Sequence, residues 1–324
     1  MLSRARRYIA DRLTPARSEP IGTVQSDHAV PKDFSSRRSL ALPEGVSRED
    51  IYSLLGSMSI DEAPPTEIAA YLAEDFERFV ITWGLTSGCA GSALEIGANP
   101  YFTTLMLVEY SELEVELTNF FTAGDPFAVQ SQRIHYTRCD GEAVERELAY
   151  RSVNVELDRF PYEDDSFDVV LFCEVIEHLQ LDPVAALSEV RRVLRSGGRL
   201  ILSTPNVARL ENVARLIAGA NIYDPYSGYG PYGRHNREYT RHELHRLLNY
   251  CGFGSIDSFT ADVHEHQADH FVELDRFWGL VSDRSPDLGQ YLFVQATNTD
   301  APTPDRRPSM FYRSLPEGAI EPYE

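Results

Sequence analysis

The chain has 324 residues, of which 43% are hydrophobic and 25% charged, a balance typical of a globular protein with a substantial core. Thirty basic residues against fifty acidic ones give a net charge of −20, which repels phosphate backbones and argues against a nucleic-acid partner. No apolar run is long enough to cross a bilayer, so we expect no integral membrane segment. The four scattered cysteines form no CxxC pair, and this favours a reducing compartment and a cytoplasmic protein.

The N-terminal part of the chain differs from the rest in charge. Residues 1–40 hold eight basic and four acidic residues without sustained periodicity, so we predict a disordered basic segment that makes at most weak contact with an anionic membrane surface. Apolar residues then recur at helical spacing over 47–60 and 66–83. These two helices make residues 41–90 a helical extension of the main domain.

Strands and helices alternate through the main domain, residues 91–298. The strand segments are apolar, and short glycine turns connect them to the helices, a pattern typical of an α/β fold with a parallel sheet covered on both faces. Asp140-Gly141 predicts a β-hairpin inserted before the third core strand. The predicted strands are 92–98, 112–118, 169–173, 199–204, 255–260 and 290–297, and the predicted helices are 101–110, 183–194, 206–219 and 240–251.

Two regions of the main domain are predicted as insertions, about 206–240 and 261–289. The second is rich in His and Asp and is predicted to be irregular or helical. Residues 299–324 contain five prolines and are predicted to form a tail.

The first strand ends in a segment with ligand-binding character. In a doubly wound sheet, ligands lie outside the carboxyl ends of the strands, where a glycine such as Gly97 lets the backbone approach closely. Glu95 precedes that glycine, and Glu116 follows 21 residues later at the end of the second predicted strand. A carboxylate there can accept hydrogen bonds from both hydroxyls of a ribose.

The segment 154–206 carries a more specific pattern. It runs from Phe167-Asp168 to Glu177-His178 in the form FDxVxxxxxxEH and continues from Arg192 to Gly198 as RVLxxGG. In these motifs the chain resembles the class I S-adenosylmethionine-dependent methyltransferases, in particular the small-molecule group that includes ubiquinone-biosynthesis O-methyltransferases. The resemblance implies a Rossmann-like, mostly parallel sheet of seven strands and S-adenosylmethionine as the cofactor.

The resemblance also implies roles for individual residues. Glu95 and Gly97 would lie near the methionine part of the cofactor, and Glu116 would bind the ribose. Glu156 and Leu157 match the acidic–apolar pair that meets the adenine, and Cys173 would flank the cofactor beside the acceptor. The first loop departs from the glycine-rich pattern of the family, because Asn99 and Tyr101 stand where further glycines are usual.

Two histidines are candidates for catalysis. His178 follows Glu177 where the fourth strand leads into a helix, and His235 lies in a glycine-containing loop before a helix that Thr240 and Glu243 cap. Either side chain can remove a proton from an acceptor, and either can instead be an ordinary structural histidine. Four tyrosines in the same loop suggest a platform for a sugar or another ring: Tyr223, Tyr226, Tyr229 and Tyr232.

The segment that contains His178 also contains residues of the kind that bind metal ions. Glu174, Glu177 and His178 form an E-x-x-E-H segment, which the resemblance links to a divalent cation in some ubiquinone-type enzymes. An HxxEH zinc motif would need His at position 174. We therefore predict no metal site.

The sequence thus predicts an S-adenosylmethionine-dependent methyltransferase acting on a small-molecule or glycan-like acceptor, with sugars and phenols as the favoured acceptors and oxygen as the favoured methylated atom. Two alternatives stay open. One is a non-catalytic binding module with a methyltransferase fold, which the reduced glycine loop favours. The other is a nucleotide-dependent oxidoreductase, which lacks support because no GxGxxG follows the first strand.

Overall fold

The computed structural model describes residues 40–121, 127–299, 301–316 and 318–321. Nearly all of the predicted basic N-terminal segment therefore lies outside the described residues. In the described part, no helix is both long enough and apolar enough to span a bilayer.

One sheet organises the fold. Within the described ranges it has nine strands in the order β1-β4-β5-β3-β2-β6-β7-β9-β8. The five central strands from β5 to β7 are mutually parallel, whereas β9, β8, β4 and β1 add antiparallel pairs at the two sides. The strands are β1 (Ser59–Ile60), β2 (Gly91–Ile96), β3 (Leu113–Asn119), β4 (Val129–Thr137), β5 (Ala143–Ser152), β6 (Phe167–Cys173), β7 (Leu194–Pro205), β8 (Phe253–Ala261) and β9 (Tyr291–Asn298).

Helices cover both faces of the sheet, as the continuous apolar strands predict. Buried apolar residues form one core with α1 to α3 and a second core with α4 and α6 on the opposite face, while α5 and α7 share a smaller cluster. The helices are α1 (Arg48–Gly56), α2 (Pro65–Thr86), α3 (Phe102–Tyr110), α4 (Pro183–Val193), α5 (Leu210–Ile217), α6 (Arg241–Tyr250) and α7 (Leu274–Val281).

The doubly wound α/β fold class is confirmed, and one strand prediction needs correction. The hairpin around Asp140-Gly141 exists, as β4 and β5, but it does not precede the third core strand. Its second strand, β5, is itself that strand, because β5 pairs in parallel with β3. The strands from β5 to β8 therefore supply the seven predicted strands, and β4 and β1 extend the sheet beyond them.

Local sequence explains where the site-bearing segments begin. Thr240 accepts a hydrogen bond from the backbone of Glu243, and the Glu243 carboxylate accepts one from the backbone of Thr240, so the predicted capping box starts α6. Asp182 caps α4 through the backbone N–H of Val184, and Pro183 occupies the first turn. These caps fix the two helices that frame the segments carrying the candidate histidines.

Candidate active site

A cleft of about 160 Å³ lies at the carboxyl edge of the parallel strands. Its walls come from the ends of β2 and β3, from the segment after β5 and from the segment after β6. Tyr232 closes it from the loop that carries His235. The cleft thus occupies the position where an open α/β sheet binds ligands.

Gly97 lines the cleft, and its predicted proximity to the methionine part of a cofactor stays a prediction. Its φ of 74° is left-handed, and an added Cβ would lie 2.7 Å from Cγ2 of Val175. Tyr101, which stands at a position usually occupied by glycine, also adopts a left-handed φ of 69°. Asn119 stabilises this loop, because its Oδ1 accepts a hydrogen bond from the backbone N–H of Asn99 and its Nδ2 donates to the Tyr101 hydroxyl.

Glu95 lies beside the loop rather than in the cleft wall. Its carboxyl group is buried and accepts a 2.6 Å hydrogen bond from the Thr104 hydroxyl in the first turn of α3. Burial raises the pKa of Glu95 to about 8, since removal from water penalises the charged form. The predicted proximity of Glu95 to a bound cofactor remains a prediction.

Glu116 is not at the end of a strand. The strand β3 continues to Asn119, so Glu116 lies three residues earlier, is exposed and does not line the cleft. Thr118 and Asn119 occupy the strand end instead. The predicted placement of Glu116 at the strand end is therefore wrong, although the predicted strand, 112–118, ends only one residue before β3 does. The role of Glu116 toward a ribose stays a prediction.

Glu156 and Leu157 likewise lie away from the cleft wall. Leu157 is 67% exposed, whereas Glu156 is buried and its Oε1 accepts hydrogen bonds from the backbone N–H groups of Gln180 and Leu181. Asn154 and Val155, just before this pair, line the cleft in its place. Glu156 thus braces the segment that follows His178.

Cys173 and Glu174 are neighbours at the end of β6, but only Glu174 lines the cleft. Cys173 is not part of the cleft wall, and burial raises the pKa of its thiol to about 12. Glu174 does line the cleft, has a left-handed φ of 56° and accepts a 2.7 Å hydrogen bond from the Ser203 hydroxyl. Burial also raises the pKa of Glu174 to about 8.

The two candidate histidines meet, although 56 residues separate them in sequence. Their ring centroids are 5.1 Å apart at an interplanar angle of 76°. His178 Nδ1 lies 3.0 Å from the carbonyl oxygen of Arg234, and His235 Nδ1 lies 3.0 Å from a carboxylate oxygen of Glu238. Because both partners only accept, each Nδ1 carries the proton, and Nε2 of each neutral ring keeps a free lone pair.

The surroundings shift the pKa values of the two rings in opposite directions. Burial, reinforced by His235, lowers the pKa of His178. Burial also opposes the charged form of His235, but its hydrogen bond to Glu238 and the nearby Glu177 outweigh burial and raise the pKa of His235. Arg209 forms an ion pair with Glu238 and holds that carboxylate in place. Divergent pKa values in one pair of rings are typical of acid–base sites.

Glu177 completes the group. It is fully buried, and its Oε2 accepts a hydrogen bond from the Thr204 hydroxyl. Among the described residues its Oε1 has no hydrogen-bond partner, and His178 Nε2 lies 3.8 Å from it. Single ligand atoms of Glu177, His178 and His235 lie within 4.8 Å of one another. These three residues could therefore hold a divalent cation, although the sequence predicts no metal ligand there.

Sequence reasoning missed several residues of the cleft. Asn119 ends β3 and Asn154 lies two residues after β5, so a more accurate prediction of the strand ends would have indicated them. Tyr232 is one of four tyrosines in its segment, yet its ring packs edge-on against Phe120 at 5.7 Å and its hydroxyl accepts a 3.3 Å hydrogen bond from Asn154. No local signal distinguishes it from the other three.

Comparison with known proteins gives the class of this domain. Residues 87–202 match a family model described as a methyltransferase domain. A probable S-adenosylmethionine-dependent methyltransferase from Mycolicibacterium smegmatis is 37% identical over 102 residues, which are 32% of this chain and 34% of that protein. An uncharacterised 37.1 kDa protein of transposon Tn4556 from Streptomyces fradiae is 42% identical over 64 residues, 20% of this chain and 16% of that protein. The matches thus span about a third or less of these relatives.

Solved structures with a similar fold have low sequence identity. A S-adenosylmethionine-dependent methyltransferase from Archaeoglobus fulgidus aligns with 70% of this chain and 99% of its own, at 15% identity and a TM-score of 0.45. A possible histamine N-methyltransferase from Thermotoga maritima aligns with 72% of this chain and 95% of its own, at 14% identity and a TM-score of 0.44.

The family match covers residues 87–202, about a third of the chain, and over these residues the chain is similar to methyltransferases. S-adenosylmethionine is the cofactor that this similarity supports.

Proposed function

We propose that this protein transfers a methyl group from S-adenosylmethionine to an oxygen atom of a small-molecule or glycan-like acceptor. The observation that carries the proposal is the pair of imidazole rings beside the cleft, in which each Nδ1 faces an acceptor oxygen and so leaves Nε2 as the basic nitrogen. An oxygen acceptor must lose its proton, and a positioned base contributes about 10²- to 10⁴-fold in rate.

The cleft residues suit the cofactor. Gly97 leaves open the space that any Cβ would fill, and the cleft lies at the carboxyl ends of β2, β3 and β6. Asn119, Asn154 and Tyr232 would hold the adenosine part, while Gly97 and the residues beside it would hold the methionine part. When bound, the cofactor supplies a methyl group on a positively charged sulfur, which nearby carboxylates and aromatic faces stabilise.

The chain's own contribution is orientation and proton removal. His235, whose Nδ1–H is held by Glu238, would accept the acceptor's proton at Nε2, and His178 would orient the acceptor hydroxyl. Alignment of two reactants in one site lowers a barrier by several kcal/mol, up to roughly 7–11 in the best intramolecular cases.

Calorimetry and kinetics test this proposal separately. S-adenosylhomocysteine should release heat on titration, and radiolabelled S-adenosylmethionine should label a hydroxyl in a panel of sugars and phenols. His235→Ala should lower turnover by about 10²-fold while leaving the affinity for S-adenosylhomocysteine unchanged. Absence of binding would refute the assignment of the cofactor. Equal loss of binding and turnover in the variant would make His235 structural.

A second candidate is a cation-assisted reaction at the same group. The unpartnered, buried Oε1 of Glu177 next to two imidazoles favours it. In this case His235 would be a ligand and not a base. Dialysis against EDTA followed by Mg²⁺, Mn²⁺ or Zn²⁺ separates the two candidates: activity that survives dialysis supports His235 as the base, and activity lost and then restored supports the cation.

A non-catalytic binding module is the remaining alternative from the sequence. Such a protein would bind S-adenosylhomocysteine but label no acceptor in the panel, and it would copurify with a protein partner.

A further inference from the structure

The loop of residues 219–234, termed here the tyrosine loop, has one tyrosine in the cleft wall and three that are exposed. Tyr232 turns inward and forms part of the cleft wall. Tyr223, Tyr226 and Tyr229 are 82%, 91% and 88% exposed. Aromatic side chains grouped on a surface next to a cleft are typical of ligand-binding surfaces.

The end of the tyrosine loop is fixed to the candidate site. The His235 backbone N–H donates to Asp224 in the loop, and Asn236 donates from its side chain to the carbonyl oxygens of Pro231 and His178. The backbone N–H of Asn236 also donates to the carbonyl oxygen of Glu177. A ligand bound on this loop would therefore lie next to the segments that carry His178 and His235.

The composition of the tyrosine loop narrows the class of ligand. It contains one acidic residue, Asp224, and one basic residue, Arg234. The guanidinium of Arg234 already stacks on Tyr226 at 4.7 Å and donates to Asn236. A surface for nucleic acid or an anionic membrane needs several free cations, which this loop does not offer. Tyrosine instead offers an apolar ring face together with a hydroxyl.

We propose that Tyr223, Tyr226 and Tyr229 bind the part of a neutral oligosaccharide that extends beyond the methylated sugar, so that the acceptor is a glycan chain and not a free small molecule. This inference rests on the proposed function and specifies its acceptor. Sugar rings would lie on the tyrosine faces, and the phenol hydroxyls would exchange hydrogen bonds with sugar hydroxyls.

The test uses the full-length protein on an array of neutral oligosaccharides of one to eight residues, with single-stranded oligonucleotides and anionic vesicles on the same array. We expect binding to increase with oligosaccharide length, and we expect Tyr226→Ser/Tyr229→Ser to weaken the binding of long chains by about tenfold or more. Leu280→Ser, at an 81% exposed residue of α7 outside the loop, is the matched control and should leave binding unchanged.

The two proposals fail in distinguishable ways. The glycan inference is overturned if no neutral oligosaccharide binds, if the tyrosine variant binds as the wild type does, or if oligonucleotides or vesicles bind instead. The affinity for S-adenosylhomocysteine, measured on the same preparations, reports on the cofactor site alone and should be the same in the wild type and the tyrosine variant.

Discussion

At the scale of single residues, the hydrogen bond between His235 and Glu238 determines which imidazole is suited to accept a proton. The carboxylate favours the charged ring, so it raises the pKa of His235 and makes that ring the stronger base of the pair. Burial and the neighbouring His235 lower the pKa of His178, and its hydrogen bond to the carbonyl oxygen of Arg234 does not offset them. The acid–base roles in the site thus follow from burial at His178 and from the carboxylates beside His235.

This difference predicts a shift in the pH profile. If neutral His235 is the base, kcat/KM falls as the pH drops through the raised pKa of His235. Glu238→Gln removes the negative charge and leaves Arg209 unpaired, and both changes lower that pKa. We expect the acidic limb of the kcat/KM profile to move to lower pH. Glu114→Gln, at an exposed residue of β3, is the control. A limb that stays or moves upward would exclude His235 as the base.

Glu156 provides a second prediction, on stability. Its Oε1 accepts hydrogen bonds from two part-buried backbone N–H groups, at 2.7 and 2.6 Å. Glu156→Ala removes both hydrogen bonds, which costs about 0.5–1.5 kcal/mol for each because water can reach these donors. Glu156→Gln keeps an accepting oxygen and should cost less. We therefore expect chemical denaturation to rank the variants wild type, Gln, Ala in decreasing stability.

The same pair of variants tests the adenine role that the family resemblance implies for Glu156. If the Gln variant loses affinity for S-adenosylhomocysteine by tenfold or more while its stability is unchanged, Glu156 binds the cofactor and its role is not limited to bracing the segment after His178.

At the scale of elements, the loop between β2 and α3 determines the shape of the cleft floor. Gly97 combines a left-handed backbone with a space in which an added Cβ would lie 2.7 Å from Val175, whereas Gly141 in the β4–β5 hairpin has a φ of 89° with nothing within 4 Å. The two glycines therefore share the backbone requirement and differ only in the space around them.

Replacing each glycine by alanine separates these effects. Both variants should lose about 1–2 kcal/mol of stability from the left-handed backbone. Only Gly97→Ala should also weaken S-adenosylhomocysteine binding, by tenfold or more, because its methyl group displaces Val175 into the cleft. Calorimetry on both variants checks this. Equal affinities would mean that the Gly97 loop does not contact the cofactor.

The strands also show how much of the fold can be predicted from the sequence alone. The apolar strands β2, β6 and β7 are predictable because both of their faces are buried, which leaves an uninterrupted apolar run. The strand β5 alternates exposed and buried residues, so it reads as one arm of a hairpin, and only its pairing with β3 makes it a core strand. The predicted strand 112–118 ends one residue before β3 does, so the error lies in the placement of Glu116 at the strand end and not in the strand itself. The meeting of His178 with His235 depends on long-range packing and leaves no local signal.

At the scale of the whole molecule, the residues that match the family model do not by themselves form the complete fold. Residues 87–202 match the methyltransferase domain, but α1 and α2 lie before them and supply Ile51, Leu54, Phe79 and Trp83 to the core on one face of the sheet. Strands β8 and β9 lie after them and complete the sheet. The helical extension is therefore packed as part of the fold.

A chain with a net charge of −20 also contains buried or partly buried carboxyl groups at the carboxyl edge of its sheet. Burial raises the pKa of Glu95 and Glu174 to about 8 and that of Glu177 to about 7. Between the ordinary glutamate pKa and these raised values, the folded protein holds protons that the unfolded chain releases. Stability must then fall as the pH rises through this interval, by up to about 1.4 kcal/mol per pH unit for each group.

Glu95 is the best residue with which to test this dependence, because its hydrogen-bond partner, Thr104, is uncharged and donates equally well to an amide oxygen. Glu95→Gln removes one titrating group without removing the hydrogen bond. We expect the unfolding free energy of this variant, measured in urea from about pH 5 to about pH 8.5, to fall less steeply than that of the wild type and to exceed it at the upper end of that range. Glu114→Gln, which removes an exposed charge, should keep the wild-type slope. A Glu95→Gln variant with an unchanged slope would mean that Glu95 is ionised in the folded protein, and the carboxyl edge would then carry a buried negative charge next to the cleft.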